Sequence, residues 1–151
     1  MNITVLEPRA AAERFQGDGA LQYVDVRTVA EFAQGRPLLR AVNVPFVFHH
    51  PLTMAAIDNR SFVEIVSHLF PPATPLVLGA GGDADDQRAL RAAELLADAG
   101  YADLAVMMPG FEAWRAALLP TTRDNRDGVS YVSLLTRFRR KDKRAGKSGG
   151  H

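Results

Sequence analysis

"PLVLGAGGDADDQRALRAAELLADAGY", residues 75 to 101, runs from an apolar strand through a glycine-rich turn into an amphipathic helix. The unbroken run PLVLG (75 to 79) is the pattern of a strand covered on both faces, as in a parallel sheet. The helix after it places Leu90, Ala93, Leu96 and Ala97 on one side. Gly100 ends it, since glycine readily takes the left-handed backbone of a helix stop. A strand that feeds a helix through a short loop is the repeating unit of an α/β fold. Loops of this kind normally hold an anion, because their N–H groups and the helix dipole both favour negative charge. This loop instead carries Asp83, Asp85 and Asp86.

Working outward, residues 3 to 120 alternate short apolar runs with helical patterns in four or five cycles. LQYVDV (21 to 26) reads as a strand. The segment TVAEFAQG follows, with Thr28 as N-cap, Glu31 completing a capping box and Gly35 as the stop. AVNVP (41 to 45) is a brief strand closed by Pro45, and FVFHHPLTMAAIDNR (46 to 60) has no clean period and reads as a long connection. Ser61 and Glu64 form a second capping box for a helix carrying Phe62, Ile65, Val66 and Leu69, which Pro71 and Pro72 end. LAVMM (104 to 108) is a further strand. GFEAWRAALLP (110 to 120) is the last helix, with Phe111, Trp114 and Leu118 on its inner stripe.

The 151 residues are the size of one domain. With 47% hydrophobic and 23% charged residues the composition is that of a soluble globular protein, and no apolar run approaches the roughly 20 residues that span a bilayer. The amino-terminal stretch lacks the pattern of a secretory signal, so a cytoplasmic address is the expectation. There is no cysteine, which excludes disulfides, thiolate metal sites and any sulfur-borne covalent intermediate on these residues. The net charge of +1 hides an asymmetry. Residues 137 to 151 hold seven basic residues and one acid, against eleven basic and sixteen acidic residues in 1 to 136.

Three segments in this order, YVDVRTVAEFAQGR with AVNVP, then residues 75 to 101, then MMPGFEAW, resemble a rhodanese-homology domain, the fold of small sulfurtransferases. The resemblance is carried by Asp25, Val26, Arg27, Glu31, Phe32 and Gly35, by Asn43 and Pro45, and by Gly100-Tyr101, Gly110-Phe111 and Trp114. It implies a three-layer α/β fold, with a central parallel sheet of about five strands and helices on both faces. The domain is expected over 1 to 120. A basic C-terminal extension would follow over 121 to 151, disordered from about residue 137.

The resemblance also implies where the chemistry would be. In active members the strand ends on a cysteine, and a loop of about six residues closing with an arginine wraps it. Inward N–H groups then lower the thiol pKa and hold the anionic sulfur donor. Here that place falls on Ala80, or with less support on Gly79, and neither is a nucleophile. Arg88 matches the closing arginine. The vestigial loop is then Gly79, Ala80, Gly81, Gly82, Asp83, Ala84, Asp85, Asp86, Gln87 and Arg88, with seven residues between Ala80 and Arg88, about three more than in a sulfurtransferase. An acid about 5 Å from a bound monoanion costs about 3 kcal/mol at an effective dielectric near 20, less once water screens it. The expectation is therefore a sulfurtransferase homologue without transfer activity, serving as a binding or regulatory module. The alternative is a thiosulfate or persulfide sulfurtransferase whose nucleophile has been replaced at Ala80.

Plainer readings stand beside these. Asp25 and Arg27 make a structural ion pair at a strand end. Asp85 or Asp86 serves as N-cap of the following helix, where acids also complement the dipole. GAGGDA fits a dinucleotide loop only loosely and places acids where pyrophosphate would sit. A hard cation on Asp83, Asp85 and Asp86 is chemically allowed but lacks a spacing motif. His49 and His50 are adjacent and point apart, against a shared metal, and His68 falls on a helix surface. No cofactor is expected. A protein of unknown identity is the expected partner class. The basic tail is a candidate for weak contact with nucleic acid or anionic lipid, against the plainer reading of a solvated tail.

Overall fold

Five short parallel strands form the centre of the protein, in the spatial order Ile3–Leu6 (β1), Leu104–Met107 (β8), Leu76–Gly79 (β7), Gln22–Asp25 (β2) and Ala41–Asn43 (β4). The structure is a computed structural model that describes residues 3–82, 85–124 and 128–136. The basic tail, together with Asp83 and Ala84 of the loop, lies outside the described residues.

Strand β1 (Ile3–Leu6) leads into α1 (Pro8–Gly17), where proline occupies the first turn without losing a hydrogen bond and Ala11 and Phe15 turn inward. Next come β2 (Gln22–Asp25), α2 (Val29–Ala33), the two-residue β3 (Arg36–Pro37) and β4 (Ala41–Asn43). A small hairpin, β5 (Val47–His49) and β6 (Ala56–Asp58), precedes α3 (Phe62–Leu69). The chain continues through β7 (Leu76–Gly79), α4 (Arg88–Asp98), β8 (Leu104–Met107), α5 (Phe111–Ala116) and β9 (Thr121–Thr122).

Alternation along the strands splits the core into two layers. On one face Val24, Leu76, Leu78, Leu104 and Val106 pack against α3 and α4. On the other, Tyr23, Val77, Ala105 and Met107 pack against Ala11 and Phe15 of α1 and Phe111 and Trp114 of α5. Both faces of β7 and β8 are buried, which is why those strands are continuously apolar in the sequence. The α/β class is the one the periodicity indicated, and the five-stranded parallel sheet with helices on both faces is the one the resemblance implied. Packing continues beyond Pro120. Thr121–Thr122 pair with β3, the Asn43 N–H donates to the Val129 carbonyl at 3.0 Å, and Tyr131 and Leu134 of a helical turn over 131–136 are buried against the α3/α4 layer.

The Thr28 capping box is present: the Glu31 N–H donates to Thr28 Oγ1 at 3.2 Å, and the Thr28 N–H donates to Glu31 Oε1 at 3.2 Å. Other local expectations are corrected. Residues 46 to 60 are not a plain connection but contain the β5–β6 hairpin. It escaped periodicity because its strands are half-buried or exposed throughout and touch the body through contacts such as Phe48 on Tyr131. Its turn is held by His50, whose Nδ1 accepts the N–H groups of Leu52 and Thr53. Ser61 makes no capping hydrogen bond; Asn59 starts α3 instead, its Oδ1 accepting the Ser61 N–H at 3.1 Å. The buried face of α4 is Ala89, Ala92, Ala93 and Leu96, rotated from the one read off the sequence. Leu118 is 91% exposed, because α5 ends at Ala116 and the backbone turns left-handed at Leu118, φ 60°.

At the carboxyl end of β2, Asp25 is fully buried and Arg27 is 4% exposed. Arg27 Nε and Nη2 donate to the Asp25 carboxylate at 2.9 and 2.8 Å, and Nη2 also donates to the Gly35 carbonyl at 2.7 Å. Burial raises the Asp25 pKa against the pull of Arg27's hydrogen bonds and charge. Removing one partner of such a pair leaves the other charged and dry. Asp25→Ala is expected to cost about 3–5 kcal/mol, measured by urea unfolding. Replacing both members with apolar residues, Asp25→Leu with Arg27→Met, should recover much of that loss.

Candidate functional site

In a parallel sheet every strand presents its carboxyl end to the same edge, and ligands bind in the crevice beyond it. Here that edge gathers Asp25 of β2, Asn43 of β4, Gly79 of β7 and Met107 of β8. Asn43 Nδ2 donates to the carbonyls of Asp25 and Arg27, both at 3.0 Å, and so fixes the β2 exit. The Arg27 guanidinium lies 4.6 Å from the centre of the Phe111 ring and thereby seats α5.

Residues 79 to 82 pass through a narrow gap. A Cβ on Gly79 would fall 1.7 Å from the Tyr23 hydroxyl oxygen, so a side chain there would displace a buried aromatic ring. On the opposite side the chain lies against the start of α5. The Ala80 carbonyl accepts the Phe111 N–H at 2.9 Å and the Gly81 carbonyl accepts the Glu112 N–H at 2.8 Å. A Cβ on Gly110 would come within 2.2 Å of the Ala80 carbonyl oxygen, so this approach requires glycine. Ala80 is 4% exposed, and its methyl group belongs to the α3/α4 core layer.

The loop then folds back on itself through Asp86. Its Oδ2 accepts the Gly81 N–H at 2.9 Å and Arg88 Nη2 at 2.8 Å, while Oδ1 accepts Arg88 Nε at 2.9 Å and the Arg88 N–H at 3.3 Å. Arg88 is gripped from its other side by Glu31, with Nη1 to Oε1 at 2.7 Å and Nη2 to Oε2 at 3.1 Å. One guanidinium thus serves two carboxylates, one from its own loop and one from the capping box of α2. Burial works to raise both acids, but hydrogen bonds to Arg88, with Gly81 for Asp86 and Thr28 for Glu31, outweigh it and hold both below their ordinary values. The same bonds, Asp86's first, raise Arg88.

The N-cap expectation for Asp85 or Asp86 is therefore corrected. Gln87 occupies the N-cap of α4 without a capping side-chain bond, Asp85 is exposed, and Asp86 reaches back to Gly81 instead. Two hollows adjoin the loop. A polar one of about 610 Å³ is lined by Arg27, Glu31, Asp86, Arg88, Phe111 and Glu112, among others. A smaller one of about 250 Å³ is bounded by Ala80, Gly82, Asp86, Ala89, Met107 and Met108, among others. Sequence reasoning singled out Asp25, Arg27 and the loop 79 to 88, and the fold brings Arg27, Glu31, Asp86 and Arg88 to one hollow. The sequence reading places Glu31 in a capping box and in the family pattern, and Phe111 on the inner stripe of the last helix, but gives neither a place beside Arg88 or Arg27. The four-residue distance from Arg27 to Glu31 is the signal that puts both at one strand exit. Among the described residues no group of three or more His, Asp or Glu is arranged to hold a metal ion, and no helix is long and apolar enough to cross a membrane.

A five-stranded parallel sheet with helices on both faces and a glycine-rich loop at the carboxyl end of its central strand defines an α/β domain. The rhodanese-like domain model matches residues 8–117, and the chain belongs to that family. It is 35% identical over 94 residues to thiosulfate sulfurtransferase 18 of Arabidopsis thaliana, covering 62% of this chain and 65% of that one, so it spans less than two thirds of this relative's length. To the chloroplastic thiosulfate sulfurtransferase 16 of Arabidopsis thaliana it is 33% identical over 102 residues, 66% of this chain and 78% of that protein. The crystal structure of Rv0390 from M. tuberculosis superposes with a TM-score of 0.66 at 23% identity, over 82% of this chain and 100% of that one, which speaks for the fold alone.

Carboxylates whose pKa is lowered in the folded state stabilise it above their unfolded values, near pH 4, and lose that contribution as pH falls through the folded values. Acid unfolding should therefore be steep below about pH 4. Asp86→Asn is expected to cost about 1–3 kcal/mol at pH 7 and to flatten that acid limb, as followed by urea midpoints from pH 7 to pH 2.5.

Proposed function

We propose that this chain is a rhodanese-like domain that does not transfer sulfur and acts as a binding or regulatory module. The observation that carries the reading is Ala80. Gly79 has no room for a side chain beside Tyr23, so residue 80 is the first position after β7 able to carry one, and it holds a methyl group. A persulfide carrier needs a thiolate there, and these 151 residues contain no cysteine.

The surrounding electrostatics support the same reading. A sulfur-donor anion is stabilised by unpaired N–H groups and a free cation. Here the Gly81 N–H and the Arg88 guanidinium are both committed to carboxylates. What remains suits recognition. The edge of the sheet keeps a polar hollow of about 610 Å³ whose walls come from α2, α4 and α5, on a framework held rigid by the Asp25–Arg27 pair. In this reading residues 79 to 88 are a vestigial active-site loop, and Asp25 and Arg27 are structural. The similarity to thiosulfate sulfurtransferases supports reading the loop as derived from a transferase site.

The test is transfer of sulfur from thiosulfate to cyanide. The unaltered chain should match the uncatalysed rate, and chain-dependent turnover would overturn the assignment. Ala80→Cys alone is expected to give at most a few per cent of the rate of an active family member, because the new thiol would face the Asp86 carboxylate. Full recovery by that single change would favour the alternative, an otherwise intact sulfurtransferase altered at one position.

A further inference from the structure

The loop after β7 holds a carboxylate of its own, Asp86, on the Gly81 N–H and the Arg88 guanidinium. We propose that the Asp86 carboxylate is a tethered occupant of the oxyanion cradle, an autoinhibitory contact that closes the site to external tetrahedral oxyanions while leaving the cradle itself intact. The inference deepens the non-transferring reading and rests on it for the identity of the loop.

Three observations carry it. First, the donors that Asp86 uses are those an external oxyanion would take: the inward Gly81 N–H at 2.9 Å and the Nε and Nη2 edge of Arg88 at 2.9 and 2.8 Å. A carboxylate that merely capped α4 would bond only first-turn N–H groups beyond its own position. Asp86 does accept the Arg88 N–H at 3.3 Å, but its shorter bonds go to Gly81 and to the Arg88 side chain. Asp86 precedes the N-cap, reaches back five residues to Gly81, and is 13% exposed although it lies on a loop.

Second, Asp86 lies in the wall of both hollows. It borders the outer polar space beside Arg27 and Phe111, and it borders the inner space against Ala80, Met107 and Met108. The two hollows also share Gly82. Asp86 is therefore common to the walls of the space beside Arg88 and of the space beside Ala80.

Third, Glu31 holds Arg88 independently. Its two oxygens take Nη1 and Nη2, and it is anchored by Thr28 through both the N–H and the hydroxyl. Removing the Asp86 side chain would leave Arg88 aimed at the loop, with its Nε edge and the Gly81 N–H unoccupied. A bidentate guanidinium edge with an adjacent N–H is suited to a tetrahedral oxyanion such as sulfate or thiosulfate.

The experiment is a sodium sulfate titration of the ¹⁵N-labelled chain at constant ionic strength set with chloride, comparing the unaltered protein with Asp86→Ala. In Asp86→Ala the Gly81 amide and the Arg88 Nε resonance should shift saturably, with affinity at least tenfold above that of the unaltered chain. Equal responses in the two proteins, or no saturable shift in a folded Asp86→Ala, would overturn the proposal. A second measurement does not depend on Asp86→Ala folding. The thiol of Ala80→Cys is the only one in the chain, so its pKa can be read from the pH dependence of its alkylation. Adding Asp86→Asn should lower that pKa by about one unit or more, and an unchanged value counts against the tethered anion. Neither result depends on turnover, so sulfur transfer by the unaltered chain would sink the functional reading separately.

Discussion

The edge of the sheet that carries the site depends on one buried guanidinium. Arg27 is held by Asp25 on its own strand, by the Gly35 carbonyl at the end of α2 and by the Phe111 ring at the start of α5. The exit of β2, the end of α2 and the start of α5 are thus tied to one charge. Burying it is expensive, and the expense is met because its bonds to Asp25 are short and doubled and because Asn43 engages both residues' carbonyls. A knot of this kind adds little net stability compared with an apolar filling of equal volume. What it supplies is register. It fixes how α2 and α5 stand over the ends of β2 and β7, and so where the loop after β7 must run.

Within that frame the loop follows steric necessity. Tyr23 fills the space where a Gly79 side chain would be, and Gly110 allows α5 to accept the Ala80 and Gly81 carbonyls as its first partners. The backbone at residues 79 to 82 is thus pinned from two sides whether or not a nucleophile is present. The path of this loop is maintained by packing and backbone hydrogen bonds and does not depend on a thiol. The Asp86–Arg88–Glu31 cluster then closes the loop on itself, each carboxylate stabilised by the guanidinium it shares and Asp86 also by the Gly81 N–H.

Much of this was legible in the residues. Continuous apolar runs at 76 to 79 and 104 to 107 are strands with both faces covered, and the Thr28–Glu31 spacing is a capping box that the structure contains. Illegible features share a cause. The β5–β6 hairpin leaves no burial period because little of it is buried. Ser61 looks like a cap but loses that role to Asn59, which lies two residues earlier and is nearly buried. Leu118 continues a helical stripe on paper, yet the helix stops two residues before it. In each case the deciding contact is made by the surrounding fold, and local spacing carries no record of it.

The amino-acid sequence by itself determined the α/β class, the order of the sheet-forming and helical segments, the absence of a thiol and the acidity of the loop, since these depend on residue type and on periods of two and 3.6. Only the tertiary structure decided what the acids do. Asp83, Asp85 and Asp86 are indistinguishable in composition and neighbouring in position. Asp86 alone is brought within hydrogen-bonding distance of Gly81 and Arg88 among the described residues, and Arg88 is oriented by Glu31 from a helix 57 residues away. Carboxylates repel anions at any position, but whether one of them takes an anion's place depends on distances of about 3 Å that exist only once β2 and β7 lie side by side.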